Sequence, residues 1–209
     1  MKKILLFLSL SLSVSLYPIV RLLTFHYKRE DLVRCQCEAY KKFFKDPFEL
    51  IVFSDAPDDE YHSKIEKVCN EYGVRCIRFN QEWHPNAPLS LKIDEWAYLK
   101  NITGFRELGI LRHNHPSVRH CNVVQYALDN FGYNHDDIVG LIDGDLFPIR
   151  DFSIRHYMKE VDIIGTKSFD ETRACEFFWL GCCFFNVKNL PDINTLKFNV
   201  TLIKNHITD

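Results

Sequence analysis

The chain has 209 residues, 46% hydrophobic and 14% aromatic, enough for one well-buried core and, by length, a single domain. Its formal net charge is -2, with 26 basic and 28 acidic residues and no basic block, which argues against nucleic acid as a partner and against disorder. Eight cysteines occur without a Cys-x-x-Cys pair, so they read mostly as reduced, buried thiols and not as zinc ligands.

Met1-Lys2-Lys3 precedes an apolar and serine-rich run, Ile4 to Leu16. A basic n-region and a short h-region read as a signal peptide or a short signal anchor, with a buried first strand as the alternative. The run is short for a bilayer-spanning helix, which needs about 20 apolar residues. It implies a membrane-associated or secretory-pathway protein, with a cytoplasmic location as the alternative. The sequons at Asn101 and Asn199 would be usable only in a eukaryotic secretory lumen.

Ile19 to Phe25 reads as a buried strand. A helix is expected over Asp31 to Phe44, with Leu32, Cys35, Ala39 and Phe43 as its apolar stripe and Asp46-Pro47 as its stop. Phe48 to Phe53 forms a second strand, ending in Ser54-Asp55. Asp58 or Asp59 caps a helix whose apolar face is Tyr61, Ile65, Val68, Cys69 and Tyr72, and Gly73 closes it in the left-handed region. Val74 to Phe79 is a third strand. Alternation of this kind predicts a parallel α/β sheet, whose ligands bind beyond the carboxyl ends of the strands.

Residues 80 to 116 are punctuated by Pro85, Pro88 and Pro116, with a helix suggested over Ser90 to Lys100. His113, His115 and His120 raise the idea of a metal site, but a solvated loop with scattered histidines is the better reading. Ser117 then caps a helix running through Asn130, with Cys121, Val124, Leu128 and Phe131 buried and Gly132 at its end. Arg119, Asn122 and Tyr126 share a different face, open to a ligand or to solvent.

The chemistry is concentrated after the apolar strand Asp137 to Ile142, which runs into Asp143-Gly144-Asp145-Leu146-Phe147-Pro148. Two carboxylates flanking one glycine at a strand end suit a hard divalent cation, Mn²⁺ or Mg²⁺. Such a cation draws its remaining ligands from water and substrate phosphates, so a diphosphate leaving group fits. The bland alternative is a polar turn.

The segment from residue 19 onward resembles the GT-A-fold glycosyltransferases. The likeness rests on the N-terminal α/β unit, the helix starting Ser117-Val118-Arg119-His120-Cys121-Asn122, the strand entering Asp143-Gly144-Asp145, and Phe178-Trp179-Leu180-Gly181-Cys182-Cys183-Phe184-Phe185-Asn186. It implies a Rossmann-like α/β domain over residues 17–209, with a mixed, mainly parallel sheet flanked by helices. It implies a nucleotide-sugar donor, a glycan, lipid or protein acceptor, and a cation at Asp143 and Asp145. Donor contacts are expected from Thr24, Phe25, His26, Asp55, Arg119, Asn122, Asp143 and Gly144. Trp179 and Gly181 are expected on the acceptor side. Family members continue past the point where this sequence stops, at Thr208-Asp209, so the acceptor half is expected to be incomplete. The alternatives are an impaired relative that still binds nucleotide sugar, and a haloacid-dehalogenase-like phosphohydrolase. The latter is disfavoured by Phe147, which stands where a Thr or Val is usual, and by the late position of the motif.

Overall fold

A computed structural model describes residues 18–79, 116–170 and 175–196. The leader at 1–16, the suggested helix over Ser90 to Lys100, His113, His115 and both sequons lie outside these residues. Among the described residues, no helix is long and apolar enough to cross a membrane.

Six strands form one sheet in the order β3-β2-β1-β4-β6-β5. β1 (Val20–His26), β2 (Phe48–Ser54), β3 (Arg75–Arg78) and β4 (Ile138–Asp143) run parallel. β5 (Ile163–Asp170) and β6 (Cys175–Asn186) add an antiparallel pair, with β6 against β4. The architecture is therefore a mixed, mainly parallel α/β sheet flanked by helices, as the alternating pattern implies. β6 returns beside the motif strand, as expected. β5 does not stand out in the sequence, because Lys167 and Ser168 interrupt any apolar run.

Both sheet faces are covered, which is why β1, β2 and β4 read as continuous apolar runs. Helices α1 (Glu30–Phe43) and α2 (Asp59–Tyr72) supply the partners of Leu22, Val52 and Ile142 on one face. Helix α3 (Pro116–Ala127), extended by a π-turn over Leu128–Gly132, covers Leu23, Ile51, Phe53 and Leu141 on the other. The Asp58 carboxylate accepts from the Tyr61 amide, and Gly73 adopts φ 66°, so both caps of α2 form as its sequence indicates.

The apolar stripe of α1 requires correction. Its buried residues are Val33, Gln36, Cys37 and Tyr40, one position away from the expected Leu32, Cys35 and Ala39. Cys35 is exposed. A glutamine on the inward face displaced the apolar count by one residue, and the reason for its burial lies in the site described below. The seven cysteines with described side chains are free thiols, and Cys37, Cys69 and Cys183 are buried.

The two cysteines of α1 give a direct check on this face assignment. Cys35→Ser should change the unfolding free energy by no more than about 0.5 kcal/mol. Cys37→Ser, which places a hydroxyl among Val33, Tyr40 and the sheet, should cost about 1–3 kcal/mol. Denaturant titration of both variants tests it, and the reverse ranking would restore the expected stripe.

Candidate functional site

The four parallel strands end on one edge, so His26, Ser54 and Asp143 sit side by side there. The chain reverses its direction of growth across the sheet between β1 and β4, and Phe25 is in register with Asp143 at that point. A switch of this kind leaves a crevice beyond the strand ends. A cavity of about 310 Å³ opens there, lined by Phe25, His26, Tyr27, Asp55, Arg119, His120 and Val123. Four of the eight expected donor residues, Phe25, His26, Asp55 and Arg119, are thus brought together, and Asp143 lies beside them.

Asp143, Gly144, Asp145 and Leu146 form a turn closed by a 3.0 Å bond from the Leu146 amide to the Asp143 carbonyl. Gly144 is required by space: a Cβ there would stand 2.5 Å from the Phe25 carbonyl oxygen and 2.9 Å from His26 Nδ1. Asp145 is exposed, while Asp143 is partly buried and its Oδ1 lies 3.5 Å from His120 Nε2. Burial pushes the Asp143 carboxyl above the usual carboxylate range. The His120 imidazole opposes that shift, and the like charge of Asp145 reinforces it.

Gly181 lies on β6 next to the motif, since Cys182 pairs with Ile142. A Cβ on Gly181 would collide with the Asp143 carboxylate and with the Trp179 ring. The ring is exposed and flanks the same carboxylate. A register shift between Gly165 and Thr166, which pair with Cys183 and Trp179, re-aims this stretch of β6. Gly181 therefore sits against the Asp143 carboxylate.

Arg119 meets Asp55 through three contacts, at 2.6 Å to its carbonyl and 3.0 and 3.1 Å to its carboxylate oxygens. Its guanidinium also lies 4.2 Å from the centre of the Tyr27 ring. The pairing with Asp55 joins α3 to the end of β2. Asn122 does not line the cavity. Tyr126, on the same helix face in projection, packs among Phe53, Phe79 and Phe131, so that face is in part core.

Thr24 is also absent from the cavity wall; it is fully buried behind the motif. There it donates to Gln36 Oε1 at 2.8 Å, and His26 Nε2 lies 3.0 Å from the same oxygen. Gln36 Nε2 donates to the carbonyls of Asp143 at 2.7 Å and Leu146 at 2.8 Å. Because Gln36 Oε1 is an acceptor, the network assigns the His26 proton to Nε2. The His26 Nδ1 atom is then a buried acceptor with no partner among the described residues. Burial lowers the His26 pKa to about 4, with the Gln36 hydrogen bond and the Asp145 charge pulling weakly the other way.

Gln36, Tyr27 and His120 are the site residues that sequence reasoning passed over. Gln36 falls outside the apolar stripe expected for α1. His120 lies on the helix expected from Ser117, but its approach to Asp143 is not visible in the sequence.

The donor set fits a divalent cation. Two carboxylates of like charge stand together, one of them raised in pKa, on a turn that Gly144 and Gly181 let pack closely against β1 and β6. Among the described residues no group of three His, Cys, Asp or Glu side chains gathers to hold a metal. A cation here would keep coordination positions for water and phosphate oxygens, as Mg²⁺-like ions do.

No family model matches the sequence, and no curated protein does. Solved structures do resemble the fold. Core-mannan synthase A from Aspergillus fumigatus, in a Mn/GDP form, superimposes with a TM-score of 0.52 at 11% identity over 84% of this chain and 61% of its own. The mannosyltransferase Ktr4p from S. cerevisiae in complex with GDP gives 0.53 at 7% identity, over 81% and 57%. The chain thus spans less than two thirds of either enzyme and shares their fold.

The buried neutral His26 makes stability depend on pH. Its folded pKa, about 4, lies below the unfolded value near 6.5, so the unfolded chain takes up a proton first as pH falls. The His26 contribution is constant above about pH 6.5 and is lost progressively down to about pH 4, a loss of about 3 kcal/mol. Urea melts across this range should show the fall, and His26→Asn should flatten it. An unchanged slope in the variant would place His26 outside the buried network.

Proposed function

We propose that this chain is a glycosyltransferase domain that binds a nucleoside-diphosphate sugar together with Mn²⁺ or Mg²⁺. It passes the sugar to a glycan, lipid or protein acceptor. The observation that carries the reading is the paired carboxylate turn of Asp143 and Asp145 at the switch point of the sheet, opening onto the cavity beside it. The fold shared with two mannosyltransferases, one of them in a Mn/GDP form, supports it.

In this reading Asp145 holds the cation directly, and Asp143 supports it or meets the donor ribose. The cation, when bound, neutralises charge developing on the diphosphate leaving group. The rest is the work of the protein. Phe25 and His26 form the floor of the cavity, and the Asp55–Arg119 pair forms its wall against the donor base and ribose. Gly144 lets the turn sit against the end of β1, and Gly181 lets β6 sit against the Asp143 carboxylate. The exposed Trp179 ring, beside Asp143, offers a flat apolar face to a sugar. Thr24 serves from behind the motif, through Gln36.

Asp145→Ala should abolish Mn²⁺-dependent binding of a nucleoside diphosphate while leaving the melting temperature within a few degrees of native, because the side chain is exposed at a strand end. Calorimetric titration with GDP and other nucleoside diphosphates, with and without Mn²⁺, measures this. Unchanged Mn²⁺-dependent affinity would remove the central claim. Sugar transfer or donor hydrolysis by the native chain separates an active enzyme from a binding-only relative, and nucleotide-independent phosphatase turnover would favour the phosphohydrolase.

The leader at 1–16 is proposed to send or tether the domain to a membrane. A fusion lacking it should lose membrane fractionation; if it fractionates like the full chain, the tether is refuted.

A further inference from the structure

Gln36 is fully buried, yet it lies on a helix that has no catalytic motif of its own. Its carboxamide makes all four hydrogen bonds available to it in the geometry observed. Both amide protons go to backbone carbonyls at the two ends of the carboxylate turn, Asp143 and Leu146. Both carbonyl lone pairs are taken by β1, through Thr24 and His26. No other described side chain donates a hydrogen bond to the backbone of this turn.

The consequence is geometric. The turn would otherwise be held by one internal bond and by its continuity with β4. The Gln36 carboxamide fixes both of its ends against β1 and α1. An Asp143 carbonyl that moves carries its own carboxylate with it, and a Leu146 carbonyl that moves rotates the segment bearing Asp145. A polar side chain is tolerated in the core at this position only because its partners are complete. If its donors were removed, the Asp143 and Leu146 carbonyls would each lose a bond in a place that water does not readily reach.

We propose that Gln36 is the positioning residue of the carboxylate turn: by bridging the carbonyls of Asp143 and Leu146 to Thr24 and His26, it sets the relative placement of the Asp143 and Asp145 carboxylates. This assignment rests on the reading of those carboxylates as a cation site. Gln36 does not touch substrate or cation; it acts through the backbone.

The test uses the full chain and Mn²⁺ alone as ligand. Gln36→Leu keeps the volume and removes every polar partner; Thr24→Val removes one partner of Oε1 with almost no change in shape, and it carries the test if Gln36→Leu fails to fold. Ile65→Val, in the core on the same sheet face, controls for general loosening. Hydrogen exchange should accelerate tenfold or more for amides in 143–148 in Gln36→Leu, and about threefold or more in Thr24→Val, with β2 and β3 unchanged. The dissociation constant for Mn²⁺, read by its EPR signal, should rise in parallel. If exchange accelerates evenly over the sheet, as in Ile65→Val, or if Mn²⁺ affinity stays native in both variants, the positioning role is overturned. A native chain that takes up no Mn²⁺ would instead sink the cation reading, and the exchange arm would still decide the clamp.

Discussion

The site depends on one buried carboxamide. A glutamine side chain removed from water must satisfy two donors and two acceptor positions, and each one left open costs about 1–3 kcal/mol. Gln36 meets that demand from α1, β1 and the turn after β4 at once. The requirement therefore works in both directions. The core can hold Gln36 only where those three elements converge, and they can hold that arrangement only with a side chain of its reach and hydrogen-bond pattern. The same network leaves His26 neutral, with its proton on Nε2, so the floor of the cavity presents an uncharged imidazole next to two carboxylates.

The sheet supplies the remaining constraint. Parallel strands place all their carboxyl ends on one edge, and adding β4 beside β1 opens the crevice there. Residues far apart in sequence become neighbours for this reason. Asp55 and Arg119 are 64 positions apart and form a partly buried pair. The pairing sets the Asp55 carboxylate and the Arg119 guanidinium together in the wall of the cavity. Antiparallel β6 then closes the other side of the motif. It can approach so closely because Gly181 has no side chain to meet Asp143.

Much of this was legible in the sequence. Uninterrupted apolar runs such as Leu50 to Phe53 marked strands buried on both faces, Asp58 and Gly73 marked the ends of α2, and Asp143-Gly144-Asp145 marked the centre of the site. The parts that were not legible share one physical cause: their meaning depends on partners distant in sequence. Gln36 looks polar in a helix and so argues for an exposed face; only its partners at Thr24, Asp143 and Leu146 make it a core residue. Counting apolar spacing around it moved the stripe of α1 by one position, to Leu32, Cys35 and Ala39 instead of Val33, Gln36 and Tyr40. Thr24 points away from the cavity for the same reason, since its hydroxyl is held by Gln36. The π-turn at Leu128–Gly132 leaves no trace in a pattern counted at 3.6 residues per turn, and the aromatic contacts of Tyr126 with Phe53 and Phe131 depend on residues that α3 alone does not reveal.

Charge gives the last link between this architecture and the proposed chemistry. Among the described residues, two arginines near the site are paired with other carboxylates: Arg119 with Asp55, and Arg29, close enough to feel Asp145, with Asp31. His26 is neutral. Two adjacent carboxylates thus set the sign of the potential at the mouth of the cavity, and their mutual repulsion is part of what raises the Asp143 carboxyl. An anionic diphosphate would be repelled by such a surface. With a divalent cation between the carboxylates and the phosphates, the repulsion becomes attraction on both sides, and the raised carboxyl is drawn back to its charged form. On this reading the cation is what lets the two carboxylates hold an anionic donor, since among the described residues only the His120 imidazole stands against Asp143. The rigid turn matters in the same terms: an ion that prefers near-octahedral geometry gains most from carboxylates whose separation is already set before it arrives.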